Sequence, residues 1–233
     1  WLAKVRAVIG PKPIDYLVVN HMEPDHSGAI QILRELYPHM VIIGNKKTIP
    51  MIDGFYGVKE SMKEVAEGES VSLGKHKLTF YTVPMVHWPE SMVCMEDNTG
   101  ILFSSDSFGS FGALEGGVFD DEIDINYFLD EMRRYYSNIV GKYGNPVQKA
   151  LSKLSGLTIK MVAPSHGPIY RKHIAMMIDL YDKWSRYEGE EGVVVAYASM
   201  YGNTEEMTEA VARSLAENGI SDIRVYDVSK THS

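Results

Sequence analysis

The stretch His21-Met22-Glu23-Pro24-Asp25-His26 places four metal-binding side chains within six consecutive residues. It follows directly after an apolar run at 14–19, which predicts a strand that ends in this loop. Two imidazoles and two carboxylates crowded together without a cation would repel one another or stay partly protonated. The stretch therefore predicts a metal site at the end of a strand.

The carboxylate of Glu23 bears on which metal this site would prefer. A hydrolytic di-zinc site would usually have another imidazole at this point of the motif. Because an anionic oxygen makes the donor set harder, Glu23 favours iron over zinc.

Three further residues with metal-binding side chains each follow an apolar strand: His87, Asp106 and His166. A single His or Asp after a strand is more often a turn or cap residue, so the prediction depends on the whole set. The ends of several strands meet at one edge of a sheet, where loops are held rigidly and a substrate can enter. The two oxygens of Asp106 can bridge two metals. The candidate ligands are His21, Glu23, Asp25, His26, His87, Asp106 and His166.

Composition excludes several classes of protein. At 233 residues, 45% of them hydrophobic, the chain can form one large domain or one domain and part of another. No uninterrupted apolar run approaches the roughly 20 residues of a membrane span, so no membrane segment is expected. The net charge of -8 argues against a nucleic-acid surface.

Two residue types add further expectations. Cys94 is the only cysteine, which excludes intramolecular disulfides and cysteine-ligated zinc or iron centres within this chain and favours a cytoplasmic location. The four histidines outside the motifs lie in polar contexts and are expected to be solvated. They are His39, His76, His173 and His232.

Strands and helices alternate between residues 14 and 162, which predicts an α/β fold. Strands are predicted at 16–19, 40–43 and 159–163, with hairpins at 70–83 and 92–105. Helices are predicted at 27–36, 123–139, 146–154 and 173–187. The charged, glycine-bearing segment 188–192 then separates the last helix from a new buried strand at 193–197. This change predicts one domain at 1–188 and the beginning of another at 193–233.

The second predicted domain carries a loop rich in polar residues at 199–204, before a helix that is predicted to open at Glu205. Unpaired backbone N–H groups and the helix dipole at such a junction favour an anion. An ordinary helix cap by Asn203 or Thr204 explains the spacing equally well. Without the lysine of a P-loop, binding of a nucleoside triphosphate is not expected.

The motif H-x-E-x-D-H, followed by a lone His, an Asp and a Ser-His-Gly, resembles the metallo-β-lactamase fold in its flavodiiron protein branch. Trp88-Pro89 and Phe108-Gly109 strengthen the likeness to that branch, because they go beyond what metal binding alone requires. The resemblance implies an αββα sandwich, incomplete at its N terminus, followed by the first part of a flavodoxin-like doubly wound domain.

The resemblance also assigns cofactors to residues. It implies one iron held by His21, Glu23, His87 and the bridging Asp106, and a second held by Asp25, Asp106 and His166. His26 is a candidate ligand of the second iron or a local proton donor. The loop resembles the flavodoxin loop for the FMN phosphate, and the residues that inherit this role are Ser199, Tyr201, Gly202, Asn203 and Thr204.

The function implied is reduction of dioxygen to water, or of nitric oxide to nitrous oxide, at a diiron centre supplied with electrons by FMN. Rubredoxin or a reduced deazaflavin is the expected electron donor, and a head-to-tail homodimer or a tetramer the expected assembly. Two alternatives remain: a di-zinc hydrolase of the thioesterase or glyoxalase type, and a non-catalytic sensor of diatomic gases.

The ends of the chain carry one more expectation. Residues 193–233 hold only a strand, a loop, a helix and a second strand. A complete flavodoxin-like domain needs roughly 100 to 150 residues to cover its sheet on both faces. The sequence is therefore expected to be an internal fragment that keeps the metal ligands and the phosphate loop but lacks the contacts to the flavin ring.

Overall fold

The computed structural model describes residues 2–231. The chain folds as two compact units, the first of which extends to Tyr187 while the second begins at Glu188. Within the described residues, no helix has both the length and the apolar character that crossing a membrane requires.

The first sheet of the first unit contains three parallel strands in the order β1-β2-β3. These strands are β1 (Tyr16–Val18), β2 (Val41–Gly44) and β3 (Met62–Glu64). The helices that accompany them are α1 (Leu2–Ile9), α2 (Pro24–Ser27), α3 (Ile30–Leu36) and α4 (Thr48–Tyr56). Ile42 of β2 packs in one buried cluster with Leu33 of α3 and Ile52 of α4, so these helices cover one face of the sheet.

The second sheet has five strands in the order β4-β5-β6-β7-β8, antiparallel except for the parallel pair β7 and β8. They are β4 (Ser70–Ser72), β5 (Lys77–Thr82), β6 (Met92–Glu96), β7 (Ile101–Ser105) and β8 (Met161–Pro164). Three helices cover it: α5 (Ile125–Ile139), α6 (Gly144–Leu154) and α7 (Ile174–Ser185). Leu102 of β7 and Val162 of β8 pack in the same buried cluster as Met132 of α5 and Met177 of α7.

A third buried cluster joins the two sheets. Ile43 of β2 and Val65 just after β3 pack with Phe80 of β5 and Cys94 of β6. Burial raises the pKa of the Cys94 thiol to about 12, so this side chain is a small core residue and not a reactive thiol. The layers are helices, sheet, sheet and helices, which confirms the predicted αββα sandwich.

The second unit is a βαβ segment. Strands β9 (Val193–Tyr197) and β10 (Ile223–Asp227) pair in parallel, and α8 (Asn203–Glu217) connects them. This connection is the repeating element of a doubly wound sheet, in agreement with the flavodoxin-like fold that the sequence predicts.

The predicted elements of the first unit are present, but several boundaries differ. The helix predicted at 27–36 is α3, which begins only at Ile30, and the short helix α2 before it, which ends at Ser27, was not predicted. The helix predicted from residue 123 begins at Ile125, because Asp124 is its N-cap and accepts a hydrogen bond from the Asn126 amide. Helices α1 and α4 and strand β3 were not predicted.

A buried carboxylate holds the start of α7. Asp120 is 1% exposed and accepts hydrogen bonds from the backbone amides of Arg171, Lys172 and His173. The His173 ring also lies with Nδ1 3.1 Å from Asp120 Oδ2, so the prediction that His173 is solvated was wrong. Asp120, from a distant part of the chain, thus holds in place the three residues that lead into this helix.

We expect Asp120→Ala to lower the free energy of unfolding at pH 7 by about 2 kcal/mol, because three amides lose their acceptor. Asp121→Ala is the control, since Asp121 only pairs with the Arg171 side chain at the surface and should cost no more than about 0.5 kcal/mol. Chemical denaturation measures both. Equal losses for the two variants would show that the hydrogen bonds from residues 171–173 to Asp120 do not stabilise the fold.

The pH dependence of the same difference can be predicted. Burial alone would raise the pKa of Asp120. The hydrogen bonds from the amides of Arg171, His173 and Lys172 together have a larger effect in the opposite direction, so the net pKa lies below its ordinary value. The contribution of Asp120 is therefore complete above the unfolded pKa of about 3.9 and is lost as pH falls through the folded value. The gap between wild type and Asp120→Ala should close below about pH 4.

Candidate metal centre

The candidate metal ligands come from the ends of strands in both sheets. His21 follows β1, and Asp106 directly follows β7. His87 lies in the loop after β5, and His166 follows β8 by two residues. The structure brings all seven predicted residues into two adjacent clusters that meet at Asp106.

The first cluster consists of His21, Glu23, His87 and Asp106. His87 Nε2 lies 3.0 Å from Glu23 Oε2 and 3.0 Å from Asp106 Oδ2. His21 Nε2 lies 3.3 Å from the same oxygen of Glu23 and 3.4 Å from Asp106 Oδ2. Two imidazole nitrogens and two carboxylate oxygens therefore face a common point.

The second cluster consists of Asp25, His26 and His166, on the other side of Asp106. His26 Nε2 is 2.8 Å from Asp106 Oδ1 and 3.4 Å from Asp25 Oδ2. His166 Nε2 is 3.2 Å from Asp25 Oδ2 and 3.4 Å from Asp106 Oδ1. His26 thus lies among the candidate ligands of the second cluster.

Asp106 presents one oxygen to each cluster. Its residue is 4% exposed, and Oδ1, like His26 Nε2, is a buried atom without a hydrogen bond of acceptable geometry among residues 2–231. Polar atoms that approach one another this closely without hydrogen-bonding require another partner. A cation between them supplies it, and His and carboxylate donors suit iron or zinc. The residues present therefore fit a pair of metals.

The carboxylate of Asp106 and the imidazole of His166 shift each other's pKa values. Burial raises the pKa of Asp106, but close contacts with the His166 and His26 rings and a hydrogen bond with His87 outweigh this effect and hold the pKa well below its ordinary value. Close contact with the Asp106 carboxylate in turn raises the pKa of His166. Asp106 is therefore a carboxylate at neutral pH, which is the form that binds metals.

The backbone beside the candidate ligands adopts unusual conformations. Three non-glycine residues within two positions of His87 or Asp106 have left-handed φ angles: Met85 at 65°, Ser105 at 54° and Phe108 at 69°. Such conformations cost free energy and persist only where the surroundings fix them, and they cluster at functional sites. The strain is consistent with loops that are shaped by the positions of their side chains.

Three residues that the motif analysis did not assign to the site contact the candidate ligands. The Trp88 ring packs edge-on against His21, with centroids 5.1 Å apart, and the Tyr135 ring lies 5.7 Å from that of His166. Burial, followed by the charge of Asp106, raises the pKa of Tyr135 far above its ordinary value, so its phenol stays protonated. The third residue is Glu90, which accepts a hydrogen bond from His21.

A cavity of about 610 Å³ opens beside the second cluster. Its lining combines polar residues, Asp25 and His26 among them, with apolar side chains that include Leu33, Phe103 and Pro164. The cavity gives a small molecule access to the second cluster.

The predicted phosphate loop lies between β9 and α8. The N-cap of α8 is Gly202, whose φ of 89° is left-handed, and its amide donates to Ser199 Oγ at 3.0 Å. Asn203 and Thr204 lie inside the helix, so the alternative in which one of them is the N-cap was wrong. The side chain of Tyr201 is exposed. The helix start, which no side chain at the N-cap covers, can accept an anion.

A model of the ODP family beta lactamase matches residues 1–167. The chain belongs to this family. It is 35% identical over 231 residues to a nitric oxide reductase of Moorella thermoacetica, a match that covers 98% of this chain and 57% of the relative. The resemblance to flavodiiron proteins is thereby confirmed.

Solved structures agree with this assignment. A rubredoxin oxygen:oxidoreductase from Desulfovibrio gigas matches with a TM-score of 0.93 and 32% identity over 99% of this chain and 58% of that chain. The flavodiiron protein from Giardia intestinalis matches with a TM-score of 0.93 and 28% identity over 99% of this chain and 57% of that chain. The present ODP-family chain therefore spans a little over half the length of these relatives.

We expect Asp106→Ala to lower the metal content from two ions per chain to one or none, because both clusters lose a shared carboxylate. Asp97→Ala is the control. Asp97 precedes β7 and Asp106 follows it, so the length of this strand, about 16 Å, separates the two residues. Elemental analysis of the purified variants gives the stoichiometry. Two tightly held metals in Asp106→Ala would show that Asp106 does not bridge them.

Proposed function

We propose that this chain carries the diiron centre of an oxidoreductase that reduces dioxygen to water, nitric oxide to nitrous oxide, or both. The observation that carries the proposal is the pair of His and carboxylate clusters that share Asp106. The relatives support the chemistry, because one is named a nitric oxide reductase and another a rubredoxin oxygen:oxidoreductase.

In this proposal residues 1–188 form the metal domain and residues 193–233 begin an FMN-binding domain. His21, Glu23, His87 and Asp106 hold one iron, while Asp25, His26, His166 and Asp106 hold the other. The FMN phosphate is bound by Ser199, Tyr201, Gly202, Asn203 and Thr204. When bound, two ferrous ions and a reduced flavin supply the four electrons that reduction of dioxygen to water needs.

The side chains of the site have separate tasks. Glu23 and Asp106 bring negative charge that favours iron in its oxidised form, and the imidazoles complete the donor sets. Trp88 and Tyr135 pack against the His21 and His166 rings and restrict their orientations. The phenol of Tyr135 retains its proton at neutral pH, so it can donate a hydrogen bond beside the second cluster but does not readily release the proton.

The electron donor and the assembly of subunits can be proposed from the resemblance and the relatives. A rubredoxin or a reduced deazaflavin would deliver electrons, and the name of the Desulfovibrio gigas relative supports the first. The resemblance supports a head-to-tail homodimer or a tetramer, in which the FMN of one subunit faces the irons of its partner. The single buried cysteine supports a cytoplasmic protein.

A di-zinc hydrolase remains the second candidate, because His26 adds an imidazole to the second cluster and zinc readily accepts such donors. Metal content separates the two functions. Anaerobically purified protein should contain iron, and its zinc form should not consume oxygen or nitric oxide.

We expect the iron-loaded protein to consume dioxygen or nitric oxide when a chemical reductant is supplied, and Glu23→His to slow this consumption by at least about tenfold. The substitution exchanges an anionic oxygen for a neutral nitrogen and so disfavours oxidised iron. Glu23→Asp, which keeps the carboxylate, is the control. The hardness argument fails if the His variant is as fast as wild type. A wild-type protein that turns over neither gas but hydrolyses thioesters refutes the proposed function.

The phosphate loop can be tested with two glycines of the second unit. Gly202 and Gly219 have φ angles of 89° and 88°, and an added Cβ at either would meet no heavy atom within 4 Å. Alanine should therefore cost about 1 kcal/mol of stability at both. Only Gly202 lies in the loop.

We expect Gly202→Ala to weaken FMN binding about fivefold or more, because the bound loop needs a left-handed conformation that alanine adopts poorly. Gly219→Ala should bind FMN as wild type does. Flavin fluorescence titration measures both affinities. Equal FMN affinities in the two variants would remove the loop from the binding site.

A further inference from the structure

Glu90 is a buried acid that no metal motif contains. The residue is 1% exposed, and its side chain is in the loop between His87 and β6. A carboxylate in such a position is costly unless it is hydrogen-bonded, so its partners indicate why it is there.

Glu90 binds the start of the metal motif through a single oxygen. Its Oε1 lies 2.8 Å from His21 Nδ1 and accepts a hydrogen bond of 2.9 Å from the Met22 amide. Burial alone would raise the pKa of Glu90, but its hydrogen bonds, above all that with His21, together outweigh burial and hold the pKa below its ordinary value, so Glu90 is an ionised carboxylate. A carboxylate oxygen only accepts hydrogen bonds, so the imidazole is the donor. His21 therefore carries its proton on Nδ1 and leaves the lone pair of Nε2 for the cluster, where Glu23 Oε2 lies 3.3 Å away.

The backbone of Glu90 is itself fixed. The side-chain amide of Asn45, which is 6% exposed, donates to the Glu90 carbonyl. The Asn45 Oδ1 in turn accepts from the amides of Lys47 and Thr48 at the start of α4. A continuous set of hydrogen bonds therefore connects the end of β2 to the His21 ring.

We propose that Glu90 is a positioning residue of the metal centre, which fixes the tautomer and orientation of His21 and lowers the reduction potential of the adjacent metal. This inference rests on the proposed function in that it requires a metal at the first cluster. A carboxylate that accepts from the far nitrogen of a metal-bound imidazole makes the ring a stronger donor and adds negative charge. Both effects favour the more oxidised metal.

Two substitutions separate the two effects. Glu90→Gln keeps an oxygen that accepts from His21 and Met22 but removes the charge. Glu90→Ala removes both. The control is Glu96→Gln, since Glu96 is also buried, at 7% exposure, but its hydrogen bonds go to Thr99 in the β6–β7 turn and to His76 in the β4–β5 turn.

The measurements are ferrous-ion affinity by anaerobic titration and the reduction potential of the iron-loaded protein by spectroelectrochemistry. We expect Glu90→Ala to bind the metal of the first cluster, to which His21 belongs, about 10- to 100-fold more weakly. Glu90→Gln should recover most of that affinity and show a reduction potential that is more positive than that of wild type. Glu96→Gln should match wild type in both.

The outcomes distinguish this inference from the function on which it rests. Wild type that binds two metals, together with unchanged affinity in Glu90→Ala or unchanged potential in Glu90→Gln, overturns the role of Glu90 alone. Wild type that binds no metal overturns the metal centre and the inference together. Thermal unfolding of each variant checks the fold, and rescue of metal affinity by Glu90→Gln excludes a purely structural loss.

Discussion

The carboxylate of Asp106 faces two clusters at once, and the other features of the site depend on this geometry. One oxygen lies within 3.4 Å of His21 and His87, and the other within 3.4 Å of His26 and His166. A carboxylate in this position cannot be replaced by a side chain with a single donor atom. It also cannot remain buried among histidines without charge compensation, which a pair of cations supplies.

The scaffold explains how loops from distant parts of the chain reach Asp106. Strand β7 is parallel to β8, so Asp106 and His166 leave the second sheet at the same edge. The first sheet delivers His21 from β1, and the buried contacts between Ile43 and Phe80 hold the two sheets together. Asp120 binds the backbone of residues 171–173, which lead from His166 to α7, and Glu90 forms a hydrogen bond with His21. The centre is therefore rigid because both layers of the sandwich contribute to it.

The motifs predicted which residues are candidate ligands because each of them is next to an apolar strand in the sequence. The structure brings these residues together as expected. Glu90 and Tyr135 were missed as site residues for a different reason. Tyr135 matched the apolar face of a helix, and the contact of Glu90 with His21 spans 69 residues of sequence. Tertiary packing alone creates both contacts, and no local pattern predicts them.

The fold was predictable where hydrophobic periodicity was strong. Helix α4 was missed because Pro50 and Gly54 argue against a helix, although proline is tolerated in the first turn, where it lies. Strand β3 is short and charged, and it depends on pairing with β2. His173 was assigned to solvent because its partner, Asp120, is far away in the sequence.

The most direct test of the central claim is an anomalous difference map, recorded at the iron absorption edge from crystals grown without oxygen. The account predicts two peaks, one beside each oxygen of Asp106, with His21, Glu23 and His87 around the first and Asp25, His26 and His166 around the second. A single peak, or two peaks that do not share Asp106, would contradict it.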